Sequence, residues 1–165
     1  MKSRSSWVAL IALVFSGLCC SVSHAAACSV SDATLTFGVY NPVSGTATTA
    51  NASFTLSCSA LLGFGNLATV SYTMLLSAGS SGSTANRKML GGTVNLPYNI
   101  YTTGSFTTVW DGTTGVSDSL QLQGLLGLPI PVFGNKTDTA YGRILALQPS
   151  SVGSYTDSLT LTVIY

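Results

Sequence analysis

The closing stretch, Gly153 to Tyr165 (GSYTDSLTLTVIY), constrains the fold more than any other part of the chain. Tyr155, Leu159, Leu161, Val163 and Tyr165 fall on one face, and Thr156, Ser158, Thr160, Thr162 and Ile164 on the other. Period-2 alternation in residues that favour extended backbone predicts a β-strand with one apolar face. Such a strand needs a neighbour on each side or a blunted edge. After Gly153 it has no Pro, no Lys and no Gly, and Asp157 is its only charge. What covers the edge beside this strand is therefore the question the sequence poses.

The rest of the chain repeats the pattern in shorter pieces. Leu35, Phe37 and Val39 alternate within Val30–Tyr40, before the turn Asn41-Pro42-Val43-Ser44-Gly45. Ala52, Phe54, Leu56 and Cys58 alternate with polar residues, as do Val70, Tyr72, Met74 and Leu76. Val94, Leu96, Tyr98 and Ile100 predict another strand, which Pro97 confines to an edge or a bulge. Ser105–Trp110 reads as a short strand closed by Asp111-Gly112. Leu120 and Leu122 read as the beginning of a further strand, and Ala140–Leu147 as another. Ala60–Asn66, broken by two glycines, reads as a loop. No stretch of ten residues carries a 3.6-residue apolar repeat, so the expected fold class is an all-β sandwich in one domain.

The N-terminus reads as an export signal rather than as fold. Lys2 and Arg4 precede the apolar run Trp7–Leu18, too short to span a membrane comfortably, and small residues at 25–27 suit cleavage. Residues 1–26 are thus expected to be a signal peptide, with 27–165 the mature domain. Cys19 and Cys20 leave with the signal, and Cys28 and Cys58 remain to form one disulfide. Closing that loop would stabilise by about 3–4 kcal/mol in the chain-entropy model.

Charge and residue types exclude most functions. The mature part holds Arg87, Lys88, Lys136 and Arg143 against Asp32, Asp111, Asp118, Asp138 and Asp157, and it lacks both His and Glu. A basic patch for nucleic acid is missing. A Ser-His-Asp triad cannot be assembled, no zinc ligand set remains, and no phosphate loop or calcium loop is present. The expectation is a protein that is not an enzyme and has no cofactor. Asp111 and Asp118 read as turn formers in Gly/Ser/Thr loops. Arg143, in a strand otherwise apolar on alternate positions, reads as a surface side chain, with a partner-recognition charge as the alternative. The acceptor patterns at Asn51 and Asn135 carry no weight.

Several blocks, in order and at consistent spacing, resemble a known family. They are Cys28-Ser29-Val30-Ser31 with Phe37-Gly38-Val39-Tyr40-Asn41-Pro42, then Val70-Ser71-Tyr72, then Arg87-Lys88-Met89-Leu90. Leu96-Pro97-Tyr98-Asn99-Ile100-Tyr101-Thr102, Thr107–Gly112, Tyr141-Gly142-Arg143-Ile144 and the Gly153–Asp157 strand follow. Together they resemble the spore coat protein U domain, the unit of archaic (Csu-type) chaperone–usher pilins. The resemblance implies an immunoglobulin-like β-sandwich lacking its final strand. It implies a groove bordered by Leu159, Leu161, Val163 and Tyr165. It also implies that a periplasmic chaperone fills this groove first, that the N-terminal extension of a neighbouring subunit fills it later, and that an outer-membrane usher is a further partner. Almost nothing precedes Cys28 in the expected mature chain, so it is expected to accept a strand and not to donate one, which suits a tip or terminal subunit.

Two apolar stretches, Ala60–Phe64 and Gly124–Phe133, read either as irregular core strands or as an adhesive surface carried by Leu125, Leu126 and Phe133. Two other readings of function stay open. One is a secreted envelope or spore-coat protein that closes its own sheet, and the other is a carbohydrate-binding module using Trp110 and the tyrosines.

Overall fold

The computed structural model describes residues 26–61, 68–123 and 131–165. Among these residues nine strands follow in chain order: β1 (Ala27–Val30), β2 (Thr48–Leu61), β3 (Ala68–Leu76), β4 (Lys88–Met89), β5 (Leu96–Pro97), β6 (Asn99–Tyr101), β7 (Val116–Leu122), β8 (Pro131–Ile144) and β9 (Leu161–Ile164). One sheet has the order β1-β2-β8-β6 and the facing sheet β7-β3-β9, with β4 and β5 as a separate pair. All pairings are antiparallel. The architecture is the expected immunoglobulin-like sandwich, all-β, with Cys28 bonded to Cys58. That disulfide ties β1 to β2 at directly opposed positions.

Alternation in the sequence becomes burial in the structure. Ala52, Phe54, Leu56, Cys58 and Ala60 of β2 point inward and are buried, as are Tyr72, Met74 and Leu76 of β3. Leu120, Leu122, Val132 and Ile144 complete the layer between the sheets, and the Phe54 and Trp110 rings meet at 5.8 Å. Burying such side chains contributes roughly 1.5–3 kcal/mol each. Two inward glycines allow close approach. A Cβ on Gly134 would strike the Gln121 carbonyl, and one on Gly142 would strike Leu35 and Phe37.

The strand boundaries depart from expectation where pairing partners decide them. Within Val30–Tyr40 only Val30 is in a strand. Beyond Ser31, no backbone–backbone hydrogen bond joins residues 32–40 to the described chain. Leu35 and Phe37 still tuck in over Gly142, but Gly38 has a φ of 73° and turns Val39 out to 96% exposure. Ser105–Trp110 forms no strand. Phe106 adopts a φ of 55°, and only Val109 bridges to Tyr101. Leu120 and Leu122 end β7 rather than begin a strand. The expected strand Ala140–Leu147 is the second half of β8 and stops at Ile144, beyond which Leu145 and Leu147 are exposed. Pro97, lacking an N–H, divides the expected fourth strand into β5 and β6, between which the Tyr98 N–H turns to the Arg87 carbonyl at 3.0 Å. Ala60 and Leu61 belong to β2, whereas 62–67 and all but the last residue of the expected signal at 1–26 lie outside the described residues.

Asp111 performs the turn role expected of it. Its Oδ1 accepts from the backbone N–H groups of Thr113, Thr114 and Gly115 at 2.7–3.0 Å. These donors, led by Gly115, hold its pKa down at about 2. A depressed folded-state pKa makes a stability contribution that is complete above the ordinary carboxylate pKa and is lost as pH falls through the folded value. The domain should therefore lose stability between about pH 4 and pH 2. Asp111→Asn keeps an acceptor oxygen but cannot titrate, so its urea midpoint should fall less than the parent's across that window. Equal falls would contradict this role. Asp118 is not a turn former: it lies in β7 and pairs with Lys136.

Candidate strand-acceptor edge

The closing segment keeps its alternation but not its expected length. Only Leu161–Ile164 forms a ladder, with Thr73–Leu76 of β3. Upstream, the Ser77 N–H reaches the Thr160 carbonyl at 3.0 Å, and Thr156 bridges to Leu90. Thr156, Ser158, Thr160, Thr162 and Ile164 face water. Tyr155, Asp157, Leu159, Leu161 and Val163 face the core.

The polar member of that inner row is Asp157, which anchors the segment. Its Oδ2 accepts from the Tyr98 hydroxyl at 2.7 Å. Its Oδ1 accepts from the Ser80 N–H at 2.9 Å, the Ser80 hydroxyl at 2.7 Å and the Ser158 N–H at 2.9 Å. Burial alone would raise the Asp157 pKa, but these donors outweigh it and the net shift is downward. Burial, then the bond to Asp157, pushes the Tyr98 phenol well above its ordinary range. Gly79, with a φ of 62°, lies so close over Asp157 and Leu159 that a Cβ there would overlap both.

Beyond Asp157 the row is apolar and unfinished. Leu159, Leu161 and Val163 touch the core cluster but are only half-buried, unlike the inward residues of β2 and β3. Among the described residues β9 has a ladder partner on one side only, and none of them pairs with its other edge. On the first sheet β1 is likewise an edge. Cys28, Val30, Leu35 and Phe37 repeat the condition: each packs on the core and each is half-buried. The described fold thus has two half-covered apolar rows over one core, each running along an edge strand, β9 or β1, that has a ladder partner on one side only among the described residues. Of the four expected groove residues, Leu159, Leu161 and Val163 share this row. Tyr165 is 56% exposed and, with Ile164, borders a shallow, hydroxyl-lined depression beside Ser71 and Ser117.

Of the expected adhesive residues, Phe133 is an outward residue of β8, 63% exposed, and Leu125 and Leu126 lie outside the described residues. Arg143 also faces outward, its guanidinium 5.4 Å from the Phe106 ring centroid. Sequence reasoning missed Arg87 and the inward charges of β8. Strand parity held the signal for both: Arg87 has the parity of buried Met89, and Lys136 and Asp138 have that of Val132. Among the described residues no three His, Cys, Asp or Glu side chains converge on a metal-sized site.

Comparison with known proteins agrees with this architecture. No curated protein matches the chain. Among solved structures, the fold is similar to a chain of the CsuC–CsuE chaperone–tip adhesion subunit pre-assembly complex from the archaic chaperone–usher Csu pili of Acinetobacter baumannii. The identity is 16% and the TM-score 0.52, over 86% of this chain and 40% of that one, so this protein spans well under half of its neighbour's length. The Spore Coat Protein U domain model matches residues 15–162. Sandwich, disulfide and family match coincide on one stretch, and the chain belongs to the Spore Coat Protein U domain family.

Proposed function

We propose that this protein is a structural and adhesive subunit of a chaperone–usher surface fibre, and that it accepts an extended strand along the free edge of β9. One observation carries the reading: the inner row Leu159, Leu161, Val163 is half-buried beside an unpaired edge. An added strand would pair its backbone with β9 and place alternate apolar side chains over that row. Each newly covered side chain contributes roughly 1 kcal/mol, and each backbone hydrogen bond about as much. A periplasmic chaperone would supply the strand first, an outer-membrane usher would receive the complex, and the N-terminal extension of a neighbouring subunit would replace the chaperone. The path runs through the periplasm to the cell surface, and the function involves no catalytic step.

The similarity to a complex that contains a tip adhesion subunit supports a terminal place in the fibre. Pairing of Leu61 with Pro131 and of Ala68 with Leu122 brings four strand ends to one pole. Exposed Leu61 and Phe133 lie there, and the apolar sequence 124–130 joins two of those ends, which suits an adhesive surface.

Expression with and without the cognate chaperone tests the proposal. Soluble, oxidised protein should accumulate only in the presence of the chaperone. Equal yield of a stable monomer without it would favour the self-contained envelope protein instead.

A further inference from the structure

The sandwich has a second open flank, opposite β9. Among the described residues β7 pairs with β3 alone there, and β8 meets β6 only at Tyr141–Arg143, so Pro131–Ala140 has β2 on one side and no described ladder on the other. The isolated bridge of Gln123 to Phe133 links the two sheets at one end. Bare edges of this kind invite strand addition.

The side chains on this flank differ from those at β9. Asp138 is registered with Phe54 and Lys136 with Leu56, and both β2 residues are buried, so the two charges point between the sheets. From the facing sheet, Asp118 is registered with Tyr72, which is 2% exposed. The Lys136 ammonium contacts the Asp118 carboxylate, an ion pair that crosses from sheet to sheet. The Tyr72 hydroxyl and Asp138 Oδ2 are buried and have no hydrogen-bond partner among the described residues. Lys136 and Asp118 remain 31% and 42% exposed, which places the pair at the mouth of the flank. Beyond Asp157, already held by Tyr98 and Ser80, the β9 row offers only Leu159, Leu161 and Val163.

We infer that Asp118, Lys136 and Asp138 are specificity-determining residues that deny the β7–β8 flank to an incoming strand and so confine insertion to β9. The inference rests on the strand-acceptor reading above. A strand laid on β7 would set apolar side chains against one ammonium and two carboxylates and would strip their water. Charges buried in that way are costly unless paired, and inward-pointing charge is one way natural sheets blunt an edge.

The test uses the oxidised protein and a synthetic peptide of alternating Val and Thr flanked by Lys. Asp118→Asn, Lys136→Met and Asp138→Asn together remove the charge and keep the shapes. The parent should bind one peptide, with amide protection at Leu161–Ile164. The triple variant should bind two, with added protection at Val116–Leu122, or should dimerise through that edge. A folded triple variant that stays monomeric and binds one peptide would overturn the inference and leave the acceptor reading intact. If the parent binds no peptide, the acceptor reading fails, and dimerisation of the triple variant without peptide decides the role of the charges. Should the triple variant not fold, Leu161→Lys decides the matter, because it puts an inward charge at β9. It should lower peptide binding at least a hundredfold, and unchanged binding would show that inward charge does not guard an edge.

Discussion

Arg87→Met should destabilise this domain by about 4 kcal/mol or prevent it from folding. Arg87 is fully buried, and among the described residues it forms no ion pair with a carboxylate. Its guanidinium holds together the end of the sandwich where backbone groups lack ladder partners. Nε donates to the Ser77 carbonyl at 3.0 Å, and Nη2 donates to the carbonyls of Ser77 at 2.7 Å, Leu76 at 3.1 Å and Trp110 at 2.7 Å. Nη1 reaches Asn99 Oδ1 at 2.8 Å and the Thr84 carbonyl at 3.4 Å. Burial lowers its pKa, yet guanidinium stays charged. Methionine fills the volume and leaves these acceptors dry, at about 1–3 kcal/mol for each one unsatisfied. Because total stability is about 5–15 kcal/mol, the loss decides folding. Lysine should rescue little, since an ammonium cannot reproduce the planar fork. Urea unfolding of the oxidised protein provides the measure, and a loss below about 1 kcal/mol would contradict the role.

Leu161→Asp should abolish the chaperone complex with little effect on the rest of the fold. Leu161 is the central apolar member of the inner row and pairs with Leu76 at the start of the β9 ladder. Because it is half-buried, its replacement opens no deep cavity in the free domain. In the complex the added strand would cover the carboxylate, and covering an unpaired charge costs several kcal/mol. About 3 kcal/mol already weakens binding more than a hundredfold. Thr162→Asp, on the outward face, should bind as the parent does. Co-purification with the chaperone reads both variants. Equal retention of Leu161→Asp and the parent would remove this row from the site.

The inner and outer faces of β2, β3 and β9 were legible in the sequence because period-2 alternation records burial directly. Strand length was not, because a ladder needs a neighbour and the sequence does not state where neighbours lie. Residues 32–40 and 155–160 alternate like strands but belong to no strand ladder. Phe106 and Leu147 take positive φ angles at positions where composition alone reads as strand. The disulfide followed from cysteine count, and Asp111 from its turn. Arg87 was hidden because a cation suggests surface unless it is placed by parity with Met89. The charges at Lys136 and Asp138 were hidden in the same way, since strand β8 begins nine residues earlier than its expected start at Ala140.

Hydrogen exchange at Leu159–Tyr165, in the free protein and in its chaperone complex, tests the strand-acceptor claim most directly. The N–H groups on the free side of β9 should exchange rapidly in the free protein and become protected in the complex, while β2 and β3 remain protected in both. If those amides are already protected in the isolated monomer, the sheet closes itself at β9, and no strand from a partner is needed.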